Sequence, residues 1–599
     1  MTDPSTRPYR PFARRAPDIR IDRRADGTIL IDAPTQGTCD IASIGEALRR
    51  NALALPDRIF LAERGPDGGW SELTYAGAWQ QAANAAQWML DAGLGQDTPL
   101  MILSGNSLAH AVITLAAHLV NVPVVPVSPP YALASPGCEK LLACARVVPP
   151  AAVFVEDAAR FANALEKLDL PPALTIAVQP AGRAVALADV VATPATPAVD
   201  SALSAIRGDD VGKILFTSGS TGAPKAVINT QFNMVAVPFA RKTVLAEPTH
   251  EILLDWLPWH HTFGGNAVLN GALYNGNTLY IDDGRPLPGQ FAATVRNLVE
   301  LRPTQFSSVP AAFDALAQAL EGSEPLRQAF FSRVKLLTYG GAALGQKTHD
   351  RIQACAVATC GERIHFATGC GSTETTSMTT AVYWDMDRMG AIGLPLPGST
   401  VKLVPEGNEY GLSVRGDQVA AGYVGQDGFL DDEGFFDTGD AVSWLTPDDP
   451  GQGLVFRGRL SENFKLLSGT WVRAGAVRVR LVSALAPHVQ DAVIAGQDRD
   501  RATALVWLKP QYSRDDPEVR DALATALRAY NADAAGAAER IDRLAILTEP
   551  PSLQQGEITD KHYINQRAVL NHRAAAVSAL YDDAGNPGLV LVSPRDQAS

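Results

Sequence analysis

Short β-branched and aromatic runs alternate with amphipathic stretches along most of this chain. Ile59–Ala62, Pro99–Leu103, Val122–Val127 and Val153–Val155 read as strands. Between them, apolar residues at helical spacing run from Ile41, from Tyr75 to Leu94 and from His110 to Leu119. That alternation predicts βαβ units and a sheet covered on both faces. Ala192–Pro197 reads as a surface connector. Beyond it a helix near 231–245 and strands at Leu253–Leu257 and Thr278–Ile281 continue the pattern to about residue 385.

Three regions depart from it. Residues 1–40 read as an irregular arm with one strand pair, Ile19–Ile21 and Thr28–Ile31, turned at Ala25-Asp26-Gly27. From Gly398 to Phe456, short strands with Gly- and Asp-rich turns predict a small β subdomain. Past Gly458-Arg459-Leu460-Ser461-Glu462 comes one strand pair, Asp491–Gly496 and Ala502–Leu508. Ala-rich helical sequence follows to about Tyr581, then a frayed end, Gly585–Ser599. The junction divides the chain into predicted domains 1–458 and 459–599.

The stretch with most chemistry is 213–230. Lys213–Thr217 reads as a buried strand, and Ala226-Val227-Ile228 as the return. Between them, Gly219 and Gly222 let backbone N–H groups turn toward an anion. Thr217, Ser218, Ser220 and Thr221 add hydroxyl donors, and Lys225 adds a point charge. That set suits a polyphosphate. A Walker loop fits poorly, because its lysine precedes Ser or Thr and a helix, whereas Lys225 precedes Ala226 and a strand.

The stretch resembles the phosphate-binding signature of the adenylate-forming superfamily of acyl-CoA synthetases, peptide-synthetase adenylation domains and luciferases. Further motifs of that family follow in order. His260-His261-Thr262-Phe263-Gly264 is similar to its His-x-Phe-Gly, which implies that His261 lies beside the substrate carboxylate. Gly340-Gly341-Ala342 would let backbone approach adenine and floor the acyl pocket. Gly369-Cys370-Gly371-Ser372-Thr373-Glu374 resembles the family's Gly-aromatic-Gly-x-Thr-Glu, with Cys370 replacing the adenine-stacking aromatic. The resemblance implies that Glu374 is an oxygen ligand for Mg²⁺ and that Thr373 contacts the α-phosphate. In Thr438-Gly439-Asp440, Asp440 matches the acceptor of both ribose hydroxyls. Arg459 opens the hinge stretch, whose pivot is Ser461, and Lys465 follows at a position many CoA ligases give to lysine.

Leu466–Val472 and Ile558–Arg567 follow variants associated with feruloyl-CoA synthetase-like proteins. Lys561 is then the residue bridging carboxylate and phosphate. The implied fold is α/β: a large N-terminal domain of layered α/β/α subdomains plus a small β subdomain, and a small mobile α+β C-terminal domain. The implied reaction joins a ferulate-like aromatic acid to coenzyme A through acyl-AMP, using ATP and Mg²⁺. Lys561, Lys225, Thr373 and the Mg²⁺ held by Glu374 would offset phosphate charge. The C-terminal domain would then turn about Ser461 to admit the thiol. Three alternatives stand beside this: a ligase for another aromatic or fatty acid, an adenylation enzyme that loads a carrier protein, and a non-catalytic nucleotide-binding relative.

Composition narrows the setting. Six cysteines include no CxxC pair, so they read as free thiols in a reducing compartment. A net charge of −13 argues against a nucleic-acid partner. No uncharged stretch approaches the roughly 20 apolar residues that span a bilayer. The Pro- and Arg-rich N-terminus lacks the apolar core of a secretory signal, and the expected location is the cytoplasm, without a membrane partner. A homodimer is left open.

Overall fold

The computed structural model describes residues 6–34, 37, 39, 41–171, 174–218, 224–245, 250–287, 289–552, 555–558, 564–582 and 589–592, the side chains of 218 and 589–592 excepted. The chain forms two compact units. One comprises residues 1–403, 413–436 and 444–455, the other 404–412, 437–443 and 456–599.

The first unit has the predicted α/β build. Its eight-stranded sheet runs in the order Gly422–Tyr423, Pro224–Thr230, Val211–Ser218, Val124–Pro126, Leu100–Leu103, Ala152–Asp157, Thr175–Gln179 and Val185–Ala186. Leu100–Leu103 is buried throughout and pairs in parallel on both sides. This is why it reads as a continuous apolar run rather than an alternation. A second sheet carries parallel pairs among Ile59–Arg64, Thr278–Ile281, Ile252–Asp255, Gln305–Ser308, Leu336–Tyr339 and His365–Cys370. Phe306, Phe313, Phe330 and Leu337 fill one core against it.

Helices begin where the sequence supplies caps. Ser43, Thr74 and Ser107 each accept a backbone N–H three residues on, opening Ile44–Ala54, Tyr75–Asp91 and Leu108–Leu119. The connector expected at Ala192–Pro197 is shorter than read, because Thr196 caps a helix with Pro197 in its first turn. Arg20–Arg23 and Ile29–Ala33 form the expected antiparallel pair.

The second unit corrects two expectations. Its four-stranded sheet runs Val489–Ala495, Thr503–Leu508, Arg543–Leu547 and Leu589–Val592. Arg543–Leu547 therefore interrupts the stretch read as continuous helix, and Leu589–Val592 pairs where fraying was expected. A short apolar run carries too few periods to separate a buried strand from a buried helix. No disulfide joins the cysteines. Among the described residues no helix is long and apolar enough to cross a membrane.

Candidate active site

Thr217 lies opposite Lys225, and Ser218 opposite Pro224, where two antiparallel strands meet. Thr217 and the lysine thus share one end of the strand pair. Pro224 is tolerated as the first residue of its strand. Gly219, Ser220, Thr221 and Gly222, which the sequence assigns to the tip, lie outside the described residues.

Lys225 Nζ stands 4.7 Å from the centre of the Tyr423 ring. Tyr423 belongs to a two-residue strand paired with Val227 and Ile228. Phe429 meets its ring edge-on at 5.1 Å and stacks in turn on Phe436 at 4.7 Å. The Tyr423 hydroxyl donates to Glu374 Oε1 at 3.0 Å. Glu374 sits in the tight turn Thr373–Thr375, and its carbonyl accepts from Ala420 N at 2.8 Å.

Close backbone approach explains the glycines around Cys370. A Cβ on Gly369 would lie 2.1 Å from the Thr380 carbonyl oxygen, and one on Gly371 2.1 Å from that of Ser377. Cys370 ends the strand His365–Cys370, and its N–H donates to Thr380 Oγ1 at 3.3 Å. Ser372 N donates to Thr375 Oγ1 at 2.8 Å and closes the turn.

Behind this corner runs a buried polar chain. Lys213 Nζ donates to Asn266 Oδ1 at 2.9 Å. Asn266 Nδ2 donates to Asn229 Oδ1 at 2.9 Å, and Asn229 Nδ2 to the Thr373 carbonyl at 3.4 Å. Lys213 is 2% exposed, and burial pulls its ammonium down to about 7.

Asn266 lies in a π-helical segment, Phe263–Leu269, that follows His261. Gly265 N donates to the His261 carbonyl at 2.8 Å. Gly264 and Gly265 are required because a Cβ on either would come within 2.4 Å of the Leu257 or Trp259 carbonyl oxygen. The same segment meets the glycine turn, where a Cβ on Gly340 would lie 3.1 Å from the Phe263 ring. Gly341 has φ +84°, and Ala342 follows it, exposed. The histidine loop, the glycine turn, the strand pair Val211–Ser218 and Pro224–Thr230, and the Thr373-Glu374 turn therefore form one contiguous corner of the first unit.

In the second unit Asp440 is 6% exposed. Arg459 Nε pairs with its Oδ1 at 3.0 Å, while Arg459 Nη1 donates to the Thr438 carbonyl at 2.7 Å. Burial pushes the Asp440 carboxyl up to about 6 against the opposing pull of Arg459. Ser461 occupies the short turn Leu460–Glu462. Lys465 Nζ lies 5.0 Å from the ring centre of Trp471. Lys561 lies outside the described residues.

Tyr423, Asn229, Asn266 and the role of Lys213 escaped the sequence reading. Asn229 and Asn266 break otherwise apolar runs, a signal that could have flagged them as paired interior polar groups. No local pattern marks Tyr423. Among the described residues no cluster of three or more His, Cys, Asp or Glu could enclose a cation by itself. A lone carboxylate such as Glu374 does fit Mg²⁺ carried in on phosphates, since that ion keeps several waters and takes one or two carboxylates.

Comparison with known proteins adds the following. The model of the AMP-binding enzyme family matches residues 48–424, and that of the AMP-binding enzyme C-terminal domain matches 464–585. A long-chain-fatty-acid–CoA ligase from Mycobacterium bovis is 25% identical over 88% of this chain and 95% of its own length. The peroxisomal long chain acyl-CoA synthetase 6 of Arabidopsis thaliana is 24% identical over 63% of this chain, which spans 62% of that relative. Among solved structures, an anthranilate CoA ligase in complex with anthranoyl-AMP superposes with a TM-score of 0.72 at 18% identity, covering 90% of this chain and 98% of its own. A benzoate CoA ligase from Burkholderia xenovorans gives 0.69 at 19% identity, over 88% and 99%. At these identities the two structures show a shared fold.

Proposed function

This chain belongs to the AMP-binding enzyme family, and we propose on that premise that it is an ATP-dependent acid–thiol ligase acting on aromatic carboxylates, ferulate or a related hydroxycinnamate foremost. The observation that carries the reading is the corner where Lys225, Tyr423 and Glu374 meet at 4.7 and 3.0 Å. A lysine and a carboxylate held close without neutralising one another suit a phosphate chain and its cation.

A carboxylate oxygen of the acid attacks the α-phosphorus of ATP. The α–β bond breaks, and pyrophosphate leaves with the bonding pair. Lys225 and the Thr373 hydroxyl meet the charge that builds on the phosphate oxygens. When bound, Mg²⁺ would supply neutralisation across the phosphates, with Glu374 as its ligand from the protein. His261 shapes the carboxylate end of the pocket, and Asp440 accepts from the ribose hydroxyls. We assign Lys561 to the bridge between carboxylate and phosphate, residues 459–599 to a mobile domain and Ser461 to its pivot. In the second half-reaction the coenzyme A thiolate attacks the mixed anhydride and AMP leaves.

The hydroxycinnamate preference is supported by Leu466–Val472 and Ile558–Arg567. A fatty-acid preference has support in the names of the Mycobacterium and Arabidopsis relatives. Coenzyme A-dependent AMP release across ferulate, coumarate, caffeate, benzoate and octanoate separates them. Fastest turnover of the three hydroxycinnamates is expected. Fastest turnover of octanoate would transfer the assignment to fatty acids, and acyl-AMP formation without coenzyme A use would transfer it to carrier loading.

A further inference from the structure

We infer that Tyr423 governs how Glu374 meets a divalent cation, holding the carboxylate to one ligating oxygen and so favouring Mg²⁺ over larger ions. The inference rests on the reading of Glu374 as the cation's ligand from the protein. The Tyr423 hydroxyl donates to Oε1 at 3.0 Å. Among the described residues no donor reaches Oε2. The Glu374 backbone is anchored by Ala420 N at 2.8 Å, and its carboxylate by the Tyr423 hydroxyl.

A phenol on Oε1 takes one of that oxygen's lone pairs and biases the carboxylate toward ligating through Oε2. Mg²⁺ takes carboxylates in near-octahedral geometry at roughly 2.0–2.1 Å, whereas Ca²⁺ readily accepts both oxygens at roughly 2.3–2.6 Å. A phenol on Oε1 therefore penalises the larger ion more than the smaller.

The ring does a second job. Lys225 sits over its face at 4.7 Å while the hydroxyl reaches Glu374, and the lysine and glutamate form no ion pair. Tyr423 thus stands between the two side chains, leaving the carboxylate open to a cation and the lysine open to phosphate. Pairing with Val227 and Ile228 and edge contact with Phe429 hold the ring without help from the hydroxyl.

The test uses the full chain with Mn²⁺ and ATP and no acid substrate, reading bound Mn²⁺ by electron paramagnetic resonance while Mg²⁺ or Ca²⁺ displaces it. Tyr423→Phe should lower the preference for Mg²⁺ over Ca²⁺ by roughly ten-fold, the lower end of what a hydrogen bond to a charged group contributes. Tyr423→Met, also lacking the hydroxyl, should show the same shift, and both should unfold at the wild-type urea midpoint. An unchanged preference in the folded variants overturns the inference. Glu374→Gln identifies which premise failed. Wild-type Mn²⁺ binding there would remove Glu374 as the ligand and the inference with it. Lost Mn²⁺ binding there, beside an unmoved preference in Tyr423→Phe, would remove only the role of Tyr423.

Discussion

Two lysines on one hairpin have opposite surroundings. Lys213, opposite Asn229, is sealed in the interior with an amide oxygen as its acceptor, and burial draws its ammonium down to about 7. Lys225, opposite Thr217 at the tip, stays partly exposed over the face of Tyr423. A desolvated ammonium gains little by meeting an anion it cannot reach. A partly exposed one over an aromatic face is within reach of a ligand. On the proposed reading Lys213 is a strut and Lys225 a binding group, although both lie on the same strand pair.

The comparison breaks most readily at Lys225. Replacing it by Met should slow pyrophosphate release from ATP and acid by roughly 10²–10³-fold, the usual effect of deleting one preorganised charge-stabilising group. Its urea midpoint should stay at the wild-type value. Lys213→Met should cost far less activity, because Asn266 and Asn229 still join the π-helical segment to the Thr373 turn.

Asp440 sharpens the comparison, being as sealed as Lys213 yet assigned to a ligand. Its carboxyl is raised to about 6, so it takes up a proton as pH falls through that value and loses its charged acceptor. The KM for ATP should rise below pH 6. Asp440→Asn should raise it roughly ten-fold or more at pH 7.5 and flatten that pH dependence. A flat wild-type KM between pH 5.5 and 7.5 would remove Asp440 from the nucleotide.

The smallest effect on activity, and the cleanest on stability, belongs to Lys213. Its ordinary value of 10.5 falls to about 7 on folding, so between these the unfolded chain binds the extra proton. Stability then rises with pH across that window, by on the order of 5 kcal/mol as an upper bound. The neighbouring His110 and His118, drawn down to about 4 and about 3, titrate below it. Urea unfolding at pH 7 and 9.5 should show a steeper gain in wild type than in Lys213→Met. Equal gains would mean that the ammonium is not sealed.

Much of this was legible from local pattern. The helix Gln231–Leu245 and the hairpin strands fall where the sequence puts them, because each carries a run of buried residues within its own span. Glu374 and Asp440 stand out through the family resemblance of the motifs around them, since a Thr-Glu pair or a Thr-Gly-Asp turn means little by itself. The Lys213–Asn266–Asn229 chain was hidden, since its members come from segments joined only by tertiary packing. Tyr423 was hidden for the same reason: a two-residue edge strand leaves no periodic trace. In the second unit, the Ala-rich surroundings of Arg543–Leu547 outweighed a run too short to declare itself a strand.

Exchange of labelled pyrophosphate into ATP, without coenzyme A, tests the adenylation reading most directly. The wild-type chain should catalyse exchange that depends on a hydroxycinnamate or another aromatic acid. Lys213→Met should retain it and Lys225→Met should lose it. No acid-dependent exchange in the wild type, or exchange that survives Lys225→Met and vanishes in a folded Lys213→Met, would contradict the account.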